Sequence, residues 1–306
     1  SLFDVVNENF GFRKFEIKDD GFYLNNEKLY IKGAFWEGFY PNTLAYPHDK
    51  DFLIKELKLA KEAGFNLLRP WRKPPHPMVL DLADSLGLML IGAPAIQCMG
   101  YWPKEVPQMK MRILNEIQEM VIRDRNHPSI IYWELFNEIK RKELEVIKRD
   151  AVIRAREFDP SRIIVDESAG WAGGANFYEP FLLNPNRWNE IHTYLRVPLN
   201  TKDYEIFSKL GKKDVSSSFE YLHGKATFIS EFGYGGIPDL SNSLTHYRKY
   251  GNPLTPDYRF HERIHKSFNL IFNPSGLNQI FSTIDSFYLA TQEIQGIGNQ
   301  SQIESI

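Results

Sequence analysis

Short apolar runs rich in β-branched and aromatic residues alternate along the chain with longer amphipathic stretches, the texture of parallel strands joined by crossover helices. The strand candidates are Leu29–Lys32, Asn66–Arg69, Leu88–Ile91, Ile130–Phe136, Ile163–Val165, Glu190–Thr193 and Thr227–Ser230. Several are apolar almost throughout, as strands covered on both faces must be. The spacing predicts helices over 49–63, 77–86, 108–126 and 142–158. The first gathers Phe52, Leu53, Leu57, Leu59 and Ala60 broadly on one side, and Gly64 stops it. The third closes at His127-Pro128, since proline disfavours helix at the residue before it. From Ile31 to Ile229, 198 residues carry six strand-to-strand steps, 33 apiece. A closed barrel of eight strand–helix units totals ~250 residues, or about 31 per unit. The α/β fold class is therefore a (β/α)8 TIM barrel. A doubly wound open sheet is the second architecture, but its Gly-rich phosphate turn is missing after the first strand.

Composition narrows the field. The chain has 306 residues, enough for a sizeable core, and 37 basic against 39 acidic residues leave a net charge of −2. No global field favours nucleic acid or an anionic membrane. One cysteine, Cys98, excludes an intrachain disulfide and any zinc site built from several thiolates. No apolar run approaches the roughly 20 residues of a spanning helix. The opening SLFDVVNEN has neither a basic start nor an apolar stretch, so no signal peptide is visible. Aromatics at 14% suit both a packed core and stacking on sugar faces.

In such barrels the reacting groups project from the C-terminal strand ends. Here those ends carry Trp36 and Glu37, Arg69, Asn137-Glu138, His192-Thr193-Tyr194, and Glu231. Glycoside cleavage needs two carboxyl groups: one protonates the leaving oxygen, and the other attacks the sugar carbon or activates water. Glu138 and Glu231 are 93 residues apart, three barrel units, which places them across the mouth from one another. Arg69, two strands before Glu138, is placed to hydrogen-bond the ionised carboxylate. The dipeptide Asn-Glu occurs five times, but only Asn137-Glu138 closes a strongly apolar strand. Trp71, Trp102 and Trp171 follow strands two, three and five and could stack on sugar rings; Glu134, inside strand four, needs a cationic partner if buried. His261 and His265 stand at i, i+4 but bracket no carboxylate, which reads as surface histidine.

Several segments together resemble glycoside hydrolase family 2, the family of β-galactosidases, β-glucuronidases and β-mannosidases. NHPSIIYWELFNE, Asn126 to Glu138, is similar to its acid/base segment. GFRKFEIKDDGFYLNNEKLYIKG, from Gly11, resembles the passage from its β-sandwich into the barrel. GFNLLRPW followed by LDLADSLGLMLI resembles its second and third strands, and FISEFG, Phe228 to Gly233, its nucleophile strand. The resemblance implies Glu138 as general acid/base and Glu231 as nucleophile. It further implies Asn137 on the sugar 2-hydroxyl, Arg69 supporting the nucleophile, and His192 and Tyr194 as a His-x-Tyr whose tyrosine bonds the nucleophile.

The departures bear on the sugar. Arg72 stands where members often have histidine, Phe35, Trp36 and Glu37 replace an Asn and a His, and Phe136 replaces a glycine. Gly92-Ala93-Pro94 ends the third strand where acidic residues are frequent, so no metal ligands and no cofactor are implied. Arg72 and Trp36 suit an anionic or unusual sugar, with Glu37 and Trp171 as further substrate contacts.

The expectation is a retaining, exo-acting hydrolase of terminal β-linked sugars, with a carbohydrate as its partner and neither nucleic acid nor membrane. An endo-acting β-glycanase of the same clan and a carbohydrate-binding domain without turnover are the alternatives. Residues 1–20 are expected to be the tail of a preceding β-sandwich and a linker, and 21–306 the catalytic barrel. Phe260–Phe272 reads as one helix, and the last twenty residues resemble the helix leading into strand eight. The barrel is thus expected to stop before its eighth strand, with little activity in this chain alone.

Overall fold

A computed structural model describes residues 4–38, 40, 49–71, 73–96, 107–139, 144–170, 174–176, 188–209, 224–251 and 255–306. These residues form two compact units: residues 1–192 with 211–231, and residues 193–210 with 232–306.

The first unit opens with an antiparallel sheet of β1 (Phe15–Lys18), β2 (Gly21–Leu24) and β3 (Glu27–Leu29). The boundary expected after residue 20 falls in the β1–β2 turn, and Phe15 pairs with Leu24 across it. Residues 15–18 therefore share a sheet with the residues that follow. The first barrel strand, β4, is Gly33–Trp36 rather than Leu29–Lys32. The apolar run began early because Leu29 belongs to the hairpin sheet.

The barrel then proceeds through α1 (Lys50–Glu62), β5 (Leu67–Pro70), α2 (Pro77–Leu86), β6 (Met89–Gly92), α3 (Met109–Asp124) and β7 (Ile130–Asn137). It continues with α4 (Glu145–Phe158), β8 (Ile163–Gly170), a short antiparallel β9 (Gly174–Asn176) and β10 (Asn189–His192). After α5 (Thr201–Lys209), which belongs to the second unit, β11 (Thr227–Glu231) pairs in parallel with β10. Strands β4 to β8 form one parallel ladder in chain order. The architecture is that of a (β/α)8 barrel, with seven parallel barrel strands among the described residues.

The helices form where their ends are satisfied. Asp49 caps α1 by accepting from Phe52 N–H at 2.6 Å, and Gly87 ends α2 in the left-handed conformation. Two-residue alternation splits the strands between two apolar layers. Leu68, Leu90, Ile130, Trp133 and Ile164 pack outward on Leu53, Leu57, Leu80, Ile117 and Val121 of the helices. Leu67, Met89, Ile91, Ile131 and Val165 meet inside the barrel, where Ile17 and Phe22 of the hairpin join them.

The second unit contains α5, α6 (Leu240–Lys249), α7 (Pro256–Phe272) and α8 (Ile284–Ser305). Backbone N–H groups of Tyr234, Gly236 and Ile237 donate to Asn299, Gln295 and Thr291, fastening that segment along α8. Phe260–Phe272 is helical as expected, and no strand follows β11 among the described residues.

Gly92 lies where strand and aromatic core meet most closely. A Cβ there would stand 2.3 Å from Cε3 and Cζ3 of Trp133, whose indole N–H is fixed on Asp159 at 2.8 Å. The ring cannot retreat without breaking that bond. Gly92→Ala should cost about 1–3 kcal/mol, read as a lower urea midpoint at unchanged slope; an unchanged midpoint would refute the packing account.

Candidate active site

One polar cluster sits at the C-terminal ends of the strands, above the inner apolar layer. Arg69 follows Leu67 by two residues on β5, so it continues the same inward face. Its guanidinium is buried and its Nη2 donates to Glu134 Oε1 at 2.7 Å, Ser168 Oγ at 3.0 Å and Asn137 Oδ1 at 3.1 Å. Its Nη1 donates to Glu231 Oε1. The rings of Phe35 and Trp71 stand 5.7 Å from the guanidinium carbon and 4.5 Å from each other. Such stacking favours a cation. Burial alone would lower the arginine's pKa, but Glu134 and Glu231 outweigh it and raise it further, so Arg69 stays charged.

Glu138 follows the last residue of β7 in a left-handed conformation, φ +50°. A non-glycine residue held there stores strain, on the order of 1 kcal/mol or more, so the surroundings must impose it. They do so on both sides. Glu138 N–H donates to Ser168 O at 3.1 Å, and Ile139 N–H donates to Glu167 Oε1 at 2.6 Å. Glu167 is in turn ion-paired with Lys148, and both are buried.

His192, at the end of β10, bridges the two candidate catalytic glutamates. Its Nδ1 is 2.6 Å from Glu138 Oε1 and 3.3 Å from Glu231 Oε2. Its Nε2 is 3.0 Å from Ser168 Oγ and 3.6 Å from Glu190 Oε1. Burial disfavours the imidazolium, but Glu138, Glu190 and Glu231 together push the pKa up to about 9. Glu190 is itself buried, which would raise its pKa. His192, Arg69 and the Ser168 hydroxyl overcome this and bring it down to about 2.

Among the described residues, the groups spaced for a cation are Glu138, His192 and Glu231, with one candidate atom from each lying within 4.8 Å of the others. They already satisfy one another: a 2.6 Å contact joins His192 to Glu138, and Arg69 donates to Glu231. That is the geometry of shared protons.

The other expected site residues divide. Asn137 is buried and accepts from Arg69, so one of its polar atoms is committed to the cluster. Trp36 packs against the outer layer with the helices, because alternation on β4 sends it away from the barrel interior. Glu37 is exposed beside Lys73. Tyr194 belongs to the second unit and is exposed. Arg72 and Trp171, and with them Trp102, lie outside the described residues. His192, the other member of the expected His-x-Tyr, stands against Glu231. Sequence reasoning missed Ser168, Glu190 and Ser230. The available signal was Glu190 two residues before His192, on the same face of one strand.

Arg69 holds several acceptors that would otherwise be buried without a cation. Arg69→Met should destabilise the fold by about 3–5 kcal/mol at neutral pH, the cost of orphaning buried carboxylates. Arg69→Lys should recover only part of this, since one ammonium cannot span Glu134 and Glu231 as a planar fork does. Urea unfolding of both variants checks the claim, and a loss under about 1 kcal/mol for the methionine variant would contradict it.

Comparison with known proteins places this cluster. The family model "Glycosyl hydrolases family 2, TIM barrel domain" matches residues 15–210, which include Arg69, Glu138 and His192. The chain is 32% identical over 254 residues to a β-galactosidase of Leuconostoc mesenteroides subsp. mesenteroides, covering 81% of this chain and 22% of that protein. It is 28% identical over 282 residues to a β-galactosidase of Pseudoalteromonas haloplanktis, covering 90% of this chain and 24% of that protein. The chain thus spans about a quarter of the length of these curated relatives. Among solved structures, the galacturonate-bound family 2 β-galacturonidase of Eisenbergiella tayi has the same fold, with a TM-score of 0.58 at 22% identity over 75% of this chain and 40% of that one. The Dictyoglomus thermophilum β-D-glucuronidase gives 0.57 at 21% identity, over 74% and 40%. With its barrel matched over most of its length and its charged cluster at the strand ends, this chain belongs to glycosyl hydrolase family 2.

Proposed function

We propose that this chain is the catalytic barrel of a retaining, exo-acting glycoside hydrolase that removes terminal β-linked sugars. Glu231 is the nucleophile and Glu138 the general acid/base. The observation that carries this reading is the pair itself: carboxylate oxygens from the ends of β7 and β11, within 4.8 Å of each other. Retaining enzymes separate their carboxyl groups by about 5–5.5 Å, and inverting ones by about 6.5–9.5 Å to admit a water. The two glutamates also stand in different surroundings, as two roles require. Glu231 is buried and accepts directly from the guanidinium of Arg69. Glu138 is the more exposed, its side chain at 27%, and sits on the strained corner after β7, where a leaving oxygen can reach it.

In the first step Glu231 bonds to the anomeric carbon while Glu138 protonates the departing oxygen. In the second, Glu138 takes a proton from water as it displaces Glu231. Asn137, next to Glu138 and fixed by Arg69, is the candidate partner for the sugar 2-hydroxyl. A β-galactoside is the first substrate to try, since relatives at 28–32% identity are β-galactosidases.

Two measurements on the intact protein test this reading. Proton NMR of the first-formed product should show the β-anomer, and release of the α-anomer would reject retention. Glu138→Ala should slow a methyl β-glycoside by about 10²–10⁴-fold and a 4-nitrophenyl glycoside far less, with azide restoring turnover of the latter. Equal losses on both substrates, without rescue, would remove Glu138 from the acid/base role. A protein that binds sugars but cleaves none would be a carbohydrate-binding barrel.

A further inference from the structure

The contacts of His192 locate its protons. Ser168 has one hydroxyl hydrogen, and it is donated to Glu190 Oε1. The Ser168 oxygen accepts from Arg69 Nη2 at 3.0 Å and has one lone pair left for His192 Nε2, also at 3.0 Å. A serine oxygen that has given its hydrogen elsewhere meets a further nitrogen only as an acceptor, so Nε2 carries a hydrogen. Glu190 Oε1 also receives the Ser230 hydroxyl, and at 3.6 Å from Nε2 it acts on the ring as a counter-charge rather than a direct acceptor. Across the ring, Nδ1 faces Glu138 Oε1 at 2.6 Å and Glu231 Oε2 at 3.3 Å. A bare lone pair against two carboxylate oxygens at those distances would be repelled, so a second hydrogen lies between Nδ1 and Glu138.

We propose that His192 is the proton store of this site, and that Glu190, acting through Ser168, is the positioning residue that holds the ring with hydrogen on Nε2. This rests on Glu138 being the acid/base. In the first step the Nδ1–H bond breaks and an O–H bond forms on Glu138. That hydrogen moves to the leaving oxygen as the glycosidic C–O bond breaks and Glu231 bonds to the sugar carbon. The ring is left neutral with its hydrogen on Nε2, the tautomer that Ser168 and Glu190 stabilise. In the second step water bonds to the sugar carbon as Glu231 departs, and the water's proton passes to Glu138 and on to Nδ1. Protons and charge return to the starting state.

Among the described residues, the groups facing the ring are Glu138 beyond β7, Ser168 of β8, Glu190 of its own strand and Glu231 of β11, with Ser230 of β11 behind Glu190. Arg69 and Glu134 stand one contact further out, and Glu167 of β8 is committed to Lys148. Its neighbour Asp166 is buried, and burial pushes its pKa well up against the opposing charge of Lys148. Three carboxylates against one ring keep it protonated to about pH 9. Because this value lies above the ordinary histidine range of about 6.5, the stabilisation is complete below about 6.5 and is lost as pH rises through about 9.

The test uses two readouts on the intact protein. Side-chain ¹⁵N NMR follows His192, identified by its loss in His192→Gln, between about pH 5 and pH 10. The native midpoint should fall at about 9. In Glu190→Gln it should drop by about one pH unit or more. In parallel, the basic limb of kcat/KM for a methyl β-glycoside should move down with the midpoint. Turnover of a 4-nitrophenyl glycoside, whose leaving group needs no proton, should fall less at its plateau than that of the methyl glycoside. If Glu190→Gln does not fold, Ser168→Ala removes the relay hydroxyl and should lower the midpoint in the same direction. A native midpoint below about 7, or a midpoint and limb unmoved by the variant, would overturn the proposal. So would a uniform loss of kcat at every pH, the mark of a merely structural role. Absence of any glycosidase activity in the native protein would instead contradict the proposed function, leaving the protonation of His192 to be decided by the NMR midpoint alone.

Discussion

The site depends on one guanidinium. Arg69 contacts side chains from β7, β8 and β11 at once, and does so where water cannot screen the charges. Around it and His192 stand four carboxylates, Glu134, Glu138, Glu190 and Glu231. In a low-dielectric interior such a set is stable only if every charge is bonded to several partners. Arg69 supplies bonds to Glu134 and Glu231, and to Asn137 and Ser168 beside them. It therefore does two things that are usually separable: it ties strand ends together and it gives the buried nucleophile candidate a cationic partner.

The rest of the first unit makes that arrangement possible by keeping the layers apart. Alternation on the strands sends Leu68, Leu90 and Trp133 outward to the helices and Leu67, Met89 and Ile91 inward. Ile17 and Phe22 from the N-terminal hairpin join the inner layer, so the floor beneath the charges is apolar. Behind Glu138, the buried Lys148–Glu167 pair reaches Ile139 N–H and holds the left-handed turn that carries the glutamate. Rigid backbone on each side of a reacting carboxylate is what preorganised catalysis requires.

Much of this was legible in the sequence. Periodicity gives α1, α2, β5, β6 and β7 to within a residue or two, because their apolar runs are sharply bounded by Gly64, Gly87 and His127-Pro128. The strand-end rule brings forward Arg69, Asn137, Glu138, His192 and Glu231, which the fold gathers into one cluster. A strand end alone does not reveal which face a side chain takes, and Trp36 packs on the outer layer. Ser168 was hidden because β8 runs five residues past the apolar stretch ending at Val165, starting with Asp166, Glu167 and Ser168, which a hydrophobic pattern cannot count as strand. Glu190 was set aside as one of five Asn-Glu pairs. Only tertiary contact, with His192, Ser168 and Ser230 closing around it, distinguishes it from the exposed ones. Charge networks of this kind join residues from distant strands, so spacing along the chain carries little trace of them.

The central claim is that Glu231 attacks the sugar, and trapping the covalent intermediate tests it most directly. The intact protein would be inactivated with the 2-deoxy-2-fluoro derivative, bearing a 2,4-dinitrophenolate leaving group, of whichever β-glycoside it hydrolyses, then digested and mapped by mass spectrometry. One sugar per protein on the peptide containing Ser230-Glu231-Phe232, released on transfer to an acceptor, is the predicted result. A stable adduct on any other carboxylate, or turnover of the fluoro sugar with no covalent species, would contradict the account.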